Sequence, residues 1–201
     1  MLQVARAARD SRKPTDRLDI LISTSTQTKP PFSPQSIESI FATNHIGHHI
    51  LTILLLPLLH STITRFPDTN STRIVFTSSS FHQLGSELDL DLLTPPEVAS
   101  TKSACYDGLW RYGRSKLANI LFKRELSRRL MEGAFRELFS TGVGEVGRSA
   151  GDVDGDGDDG DQASKHIYVN SSFPGNIATE QMNIWTSYLG TFLGKAFKMF
   201  L

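Results

Sequence analysis

RIVFTSSS, from Arg73 to Ser80, decides the fold. Its leading residues form a compact apolar strand, and the strand empties into three serines. Upstream, FATNHIGHHILTILLLPLL (Phe41 to Leu59) reads as a long helix, with Pro57 as the place for a bend. Ser36 and Ser39 offer helix-start chemistry ahead of the apolar positions Ile37, Ile40 and Phe41. Before them lies TSTQTKPPFSPQS, a loop rich in Ser, Thr and Pro, and before that RLDILIS (Arg17 to Ser23), which suits a buried strand of a parallel sheet. Strand, long helix, strand is a βαβ crossover.

Downstream the pattern repeats. An irregular stretch from Phe81 to Gly108 leads into RYGRSKLANILFKRELSRRLMEG, where Leu117, Ile120, Leu121, Leu126 and Leu130 fall at helical spacing. Lys and Arg fill the last turns, as the helix dipole favours. HIYVNSSF (His166 to Phe173) is a third strand, and PGNIATEQM turns out of it. The succession predicts a doubly wound α/β sheet of parallel strands, in one domain covering residues 1–201. Within it, about 142–164 reads as an insertion: six of the eleven residues from Gly151 to Asp161 are Asp and four are Gly, so no apolar surface can be buried and disorder is expected. IWTSYLGTFLGKAFKMFL, at the end, is apolar and aromatic at helical spacing; it suits either a cover over a substrate pocket or an exposed end.

The bulk numbers exclude several classes. The chain has 201 residues, 39% of them apolar, and 21 basic residues balance 21 acidic ones. Neither nucleic acid nor an acidic membrane surface is advertised. Cys105 is the only cysteine, so no intrachain disulfide forms and a cytosolic location is the default, with membrane association as the alternative. The basic start, MLQVARAARDSRKPTDR, lacks the apolar core of a secretory signal and reads as a helix. The most apolar run, Ile50 to Leu59, is far shorter than the ~20 residues a bilayer crossing takes, so it reads as a buried helix and no transmembrane span is expected.

Tyr112 and Lys116 carry the chemistry. A phenol ordinarily titrates near pH 10, so proton transfer through it near neutrality needs a positive charge close by. The two residues stand four apart at the start of a helix and share a face. Ser78, Ser79 and Ser80 occupy the C-terminal end of the preceding strand, where open α/β sheets bind ligands. Asn44, in NHIGHH, interrupts an apolar helix, a placement that costs stability unless its amide is used.

FATNHIGHHILTILLLPLL, RIVFTSSS, YGRSKLANILFKREL and VNSSFPGNIATEQM, taken in order from Arg17 to Met182, resemble successive motifs of the short-chain dehydrogenase/reductase family, in its retinol-dehydrogenase-like branch. The resemblance implies a Rossmann-like fold and hydride transfer between a nicotinamide cofactor, NADP or NAD with NADP slightly favoured, and a lipophilic alcohol or carbonyl such as a retinoid, steroid or fatty aldehyde. It implies Asn44 as organiser of a proton-relay water and Ser79, the second serine of the strand-end pair, as the group orienting the substrate oxygen. Tyr112 becomes the acid/base, and Lys116 the group that lowers its pKa and binds the nicotinamide ribose. Pro174, Gly175, Ile177 and Thr179 match the turn that closes over the nicotinamide carboxamide.

The pattern also departs from the family. No glycine stands among the sixteen residues before Arg17, so a glycine-rich phosphate turn and the first βαβ elements are expected to be missing. Ser23, Thr24, Ser25 and Thr26 replace an asparagine-asparagine-alanine-glycine turn. A sheet without its first strands has a bare edge, which invites aggregation or a homo-oligomer. A catalytically inactive or binding-only chain that cannot hold the dinucleotide is therefore the alternative to an enzyme.

Other signals read as structure. His45, His48 and His49 share a helical face but lack a carboxylate or cysteine partner for a metal, and the family pattern accounts for His45 and His48. DVDGDG (Asp152 to Gly157) opens like a calcium loop, but Ala163 stands at the twelfth position where Glu is needed. Lys123, Arg124, Arg128 and Arg129 read as a solvated helix end.

Overall fold

The structure, a computed structural model, describes residues 2–13, 15–25, 32–66, 68–84, 88, 93, 104–141 and 166–175. In chain order the elements are α1 (Leu2–Arg12), β1 (Ile20–Ser23), a short α2 (Ser39–Phe41) that passes through a widened turn at Ala42–Ile46 into α3 (Gly47–Arg65), and β2 (Ser71–Thr77). A 3-10 turn (Ser80–Leu84), α4 (Ala104–Met131), α5 (Arg136–Thr141) and β3 (His166–Ser172) follow. The acidic stretch at about 142–164 and the apolar stretch Ile184 to Leu201 lie outside the described residues.

The strands form one sheet in the order β1-β2-β3. At one end His166 N–H donates to the Asn70 carbonyl (3.4 Å), and at the other Ser78 N–H donates to the Ser172 carbonyl (2.8 Å), so β2 and β3 run in the same direction. Parallel neighbours require long crossovers, and helices supply both. This is the α/β class that the sequence pattern predicts. β1 is shorter than RLDILIS suggests, because the Leu18 N–H is spent on the Thr62 hydroxyl of α3 (2.8 Å) instead of a strand neighbour.

By their contacts the residues divide into two compact units. The first comprises described residues within Met1–Leu21, Ile50–Val75 and Arg124–Asn170. Its core is aliphatic: Leu55, Leu56, Leu58, Leu59 and Ile63 of α3, Ile74 of β2, Leu126 of α4 and Val169 of β3 are all buried. Thr62, buried among α3's leucines, returns its own hydroxyl proton to the Leu58 carbonyl (2.9 Å), so its polarity is satisfied on both sides. His60 stacks on Phe139 of α5, ring centroids 3.9 Å apart.

The second unit comprises described residues within Ile22–His49, Phe76–Lys123 and Ser171–Leu201. The helix beginning at Ser39 is not started by Ser36 or by Ser39 itself. Ser36 lies in a turn with φ 58°, and the cap is Glu38, whose carboxylate accepts from Ile40 N–H (2.6 Å) and Phe41 N–H (3.0 Å). Glu38 succeeds as a cap because its charge is not left alone at the buried helix start: the guanidinium of Arg114, wholly buried on α4, stands 3.8 Å away. That guanidinium also lies over the Trp110 ring at 4.9 Å. Glu38 N–H donates to the Leu93 carbonyl (2.9 Å), and Phe41, Leu93 and Ala118 form a small apolar cluster beside it.

The helix is also longer than the apolar run predicts. It stays helical past Pro57 to Arg65, and its departure from α geometry lies upstream, at Ala42–Ile46, where Gly47 N–H reaches back to the Ala42 carbonyl five residues earlier. Ser39–Arg65, 27 residues long and containing an 18-residue window of mean hydropathy 1.5, is long and apolar enough to cross a membrane by length and composition. Its buried polar residues Asn44 and Thr62 are nonetheless paired within the chain, as in the core helix of a folded domain.

Removing one partner of a buried ion pair strands the other. Glu38→Ala is expected to lower the unfolding free energy by about 3–5 kcal/mol in urea titrations, whereas the double replacement Glu38→Met with Arg114→Met loses clearly less. A double variant as unstable as Glu38→Ala alone would show that the pair is not what the site depends on.

Candidate active site

On α4, Tyr112, Ser115, Lys116 and Asn119 stand at i, i+3, i+4 and i+7, so they form one stripe. All four are buried, with exposures of 9%, 0%, 1% and 0%. A polar stripe on a buried face is stable only if every group finds a partner. The partners are strand ends and the widened helical turn, all in the second unit.

Lys116 Nζ donates to the carbonyls of Ser25, just past β1 (2.9 Å), and Thr77, at the end of β2 (3.1 Å). Ser25 Oγ donates to Asn44 Oδ1 (2.5 Å), and Asn44 Nδ2 donates to Ser115 Oγ (3.1 Å). Ser115 Oγ donates in turn to the Tyr112 carbonyl one helical turn back (2.7 Å), and Asn119 Nδ2 donates to the Asn44 carbonyl (3.0 Å). At the phenol end, the Ser79 hydroxyl hydrogen-bonds Tyr112. Ser79 is held by the turn that follows it: its Oγ accepts from Phe81 N–H (3.3 Å), and its carbonyl accepts from His82 Nδ1 (2.6 Å). The Phe81 ring meets the Tyr112 ring edge-on, centroids 6.1 Å apart.

Asn44, Ser79, Tyr112 and Lys116, separated by up to 72 positions in sequence, thus belong to one connected network. Pro174 and Gly175 sit just beyond β3, exposed, with Gly175 at φ 83° and open space where a side chain would begin. Ile177 and Thr179 lie outside the described residues. Three members of the network, Ser25, Ser115 and Asn119, do not stand out in the sequence reading. The i, i+3, i+4, i+7 spacing of polar residues on α4 is the signal for Ser115 and Asn119. Ser25 enters that reading only as a departure from a family turn.

The electrostatics differ from the simple expectation that lysine lowers the phenol. Burial raises the Tyr112 pKa above its ordinary value, while the Ser79 hydrogen bond pulls the other way. Lys116 Nζ lies 5.3 Å from the Tyr112 ring centroid with donors committed to two carbonyls, and burial brings its pKa down to about 8. His48 falls to about 4, first through burial and then through the charges of Lys116 and His45. Burial likewise lowers His45, whose Nδ1 lies 2.9 Å from Asn119 Oδ1, and His49, which stacks on Phe122 with centroids 4.2 Å apart. Among the described residues no three His, Cys, Asp or Glu side chains are grouped to hold a metal.

No family model matches the chain. Retinol dehydrogenase 14 of Homo sapiens is 41% identical over 116 residues, 57% of this chain and 30% of that protein. The short chain dehydrogenase/reductase dpchH of Colletotrichum higginsianum is 37% identical over 137 residues, 65% of this chain and 34% of that one. Over the matched residues the chain is similar to retinol dehydrogenases and other short-chain dehydrogenases/reductases. It spans about a third of the length of these curated relatives. Among solved structures, an uncharacterized protein from Mycobacterium paratuberculosis is 32% identical over 65% of this chain and 42% of that one, with a TM-score of 0.49.

The buried Lys116 has a thermodynamic signature. With Lys116 at about 8 when folded and 10.5 as its ordinary value, the unfolded chain holds a proton that the folded chain has lost across that interval. Stability contributed at this position therefore rises with pH between those values. The unfolding free energy of the parent minus that of Lys116→Met should increase between pH 7 and pH 9.5 in matched urea titrations. A difference that is flat with pH would overturn the assigned shift.

Proposed function

We propose that this chain carries the acid/base half of a nicotinamide-dependent oxidoreductase site acting on a lipophilic alcohol or carbonyl. The observation that carries the reading is the Tyr112 phenol hydrogen-bonded to Ser79 at a strand end, with the Lys116 ammonium on the same buried helix face. Its relatives' names, retinol dehydrogenase and short-chain dehydrogenase/reductase, support the same class.

Each side chain has a distinct task in this reading. Ser79 Oγ donates to the substrate oxygen and orients it toward Tyr112. In the reducing direction the phenol gives its proton to that oxygen, and in the oxidising direction the phenolate takes it back. Lys116 lessens the cost of the phenolate by its charge, an effect amplified by burial because little water screens it. Asn44 is the organising amide, holding Ser25 and Ser115 in place beneath the pair.

The residues fit a nicotinamide ribose in chemistry. Ser23 Oγ and Ser78 Oγ, at the ends of β1 and β2, are buried without a partner among the described residues, a state that a polyhydroxylated ligand would relieve. Tyr112 and Lys116 would hold the ribose, and Pro174, Gly175, Ile177 and Thr179 the carboxamide side. NADPH or NADH would supply the hydride in the reducing direction, and NADP or NAD would accept it in the oxidising one, when bound.

Fluorescence titration with NADPH and NADH tests the reading directly. Saturable binding below millimolar concentration is expected, and Tyr112→Phe should cut turnover of retinoid, steroid or fatty aldehyde substrates by roughly 10²–10⁴-fold, with a far smaller loss of cofactor affinity because Lys116 remains to hold the ribose. Absence of saturable binding would favour the inactive or binding-only alternative, and an unimpaired Tyr112→Phe enzyme would remove Tyr112 from the mechanism.

A further inference from the structure

The widened turn at Ala42–Ile46 is the one break in an otherwise regular helix, and it lies directly against α4. A turn of this kind shifts backbone partners by one residue and leaves a carbonyl in need of another donor. Here Gly47 N–H serves Ala42, and the Asn44 carbonyl takes the side-chain amide of Asn119 (3.0 Å). The other end of the same amide faces inward too: Asn119 Oδ1 lies 2.9 Å from His45 Nδ1. An amide oxygen only accepts, so the neutral imidazole carries its proton on Nδ1.

Asn44 is consequently gripped twice by one helix. Ser115 takes its side-chain amide and Asn119 its backbone carbonyl, and the two donors and acceptors lie one turn apart on α4, on either side of Lys116 in sequence. Both bonds hold only in one register. Sliding α4 by a single residue means about 1.5 Å of translation and about 100° of rotation, which would break both and carry Tyr112 away from Ser79.

We propose that Asn119 is a positioning residue of the site: with His45 it locks the widened turn to α4 and thereby fixes where the Tyr112 phenol sits relative to Ser79. Its kinetic consequence rests on the oxidoreductase reading above, but its structural consequence does not. Asn119 touches neither the phenol nor Lys116 Nζ, so it acts through Asn44 and the register of the helix. A misplacement of the order of 1 Å at a reacting group can cost about 10²-fold in rate.

The test compares three variants of the full chain. Asn119→Leu removes both bonds, and Asn119→Asp keeps an acceptor for His45 while losing the donor to Asn44. Leu59→Ala, in the first unit's aliphatic core, serves as a control for lost stability alone. Two readouts are taken: turnover per folded molecule, and titration of the Tyr112 phenol followed by carbon-13 NMR of its Cζ. Both Asn119 variants should move the Tyr112 titration down toward that of an ordinary tyrosine and reduce kcat about 10- to 100-fold, with cofactor affinity within about threefold. Leu59→Ala should do neither. If the Asn119 variants leave the Tyr112 titration where it is in the parent chain, the positioning role is wrong. If the parent chain shows no turnover but its Tyr112 titration still shifts on replacing Asn119, the oxidoreductase reading fails and the positioning role stands. Should Asn119→Leu not fold, Asn119→Asp alone decides.

Discussion

A fully buried asparagine inside an apolar helix must have its amide and its neighbouring backbone satisfied, or it destabilises the fold. Asn44 imposes that constraint here, and much of the second unit is arranged around meeting it. Its side chain is shared between Ser25 at the end of β1 and Ser115 on α4, and its carbonyl is met by Asn119 on α4. Three elements that the chain visits far apart are thereby held in one register. Apolar packing alone would tolerate small slips, because methyl groups pack at many offsets; hydrogen bonds with defined donors and acceptors do not.

A second buried demand is stacked on the first. Lys116 is almost fully enclosed, and an ammonium in such a place is costly unless its protons are used. Two strand-end carbonyls receive them, so the same cation that could serve a phenolate also ties α4 to β1 and β2. Strand ends suit this because their last carbonyls point beyond the ladder, unclaimed by a neighbouring strand. Glu38 and Arg114 apply the same logic at the start of the long helix, where one buried carboxylate caps the backbone and meets a buried guanidinium. Polar connections therefore set the position of α4, and the small cluster of Phe41, Leu93 and Ala118 fills the space beside them.

What the sequence reveals follows from the range over which each signal acts. The three strands and two long helices are legible because apolar periodicity is local, and RIVFTSSS or HIYVNSSF needs no partner to be recognised. Tyr112 and Lys116 are legible as a spaced pair, and Asn44 and Ser79 through their motifs. Glu38 is not, because a carboxylate caps a buried helix start only when a cation such as Arg114 arrives from 76 residues away. The widened turn at Ala42–Ile46 is hidden for a similar reason: nothing in ATNHI demands it, and its carbonyl finds a donor only when Asn119 is folded against it. Pro57 draws the eye as a breaker, yet the helix carries on to Arg65, since tertiary packing of Leu55, Leu56, Leu58 and Leu59 outweighs one missing hydrogen bond.

The direction of the Tyr112 shift sharpens what such a site can do at rest. A phenol raised by burial is protonated throughout the neutral range, and a protonated phenol is poised to give a proton, not to take one. Lys116, lowered to about 8, remains mostly ammonium at pH 7, so the resting pair is a protonated phenol beside an ammonium and not a preformed phenolate and ammonium. An ammonium has three protons, so Lys116 can keep its bonds to the Ser25 and Thr77 carbonyls and still favour a phenolate through its charge. In the proposed chemistry the free chain therefore rests with its acid in place, ready for the reducing direction. Ser23 and Ser78, at the same strand ends, have hydroxyls buried without partners among the described residues, so that end of the sheet still holds polar groups to be satisfied.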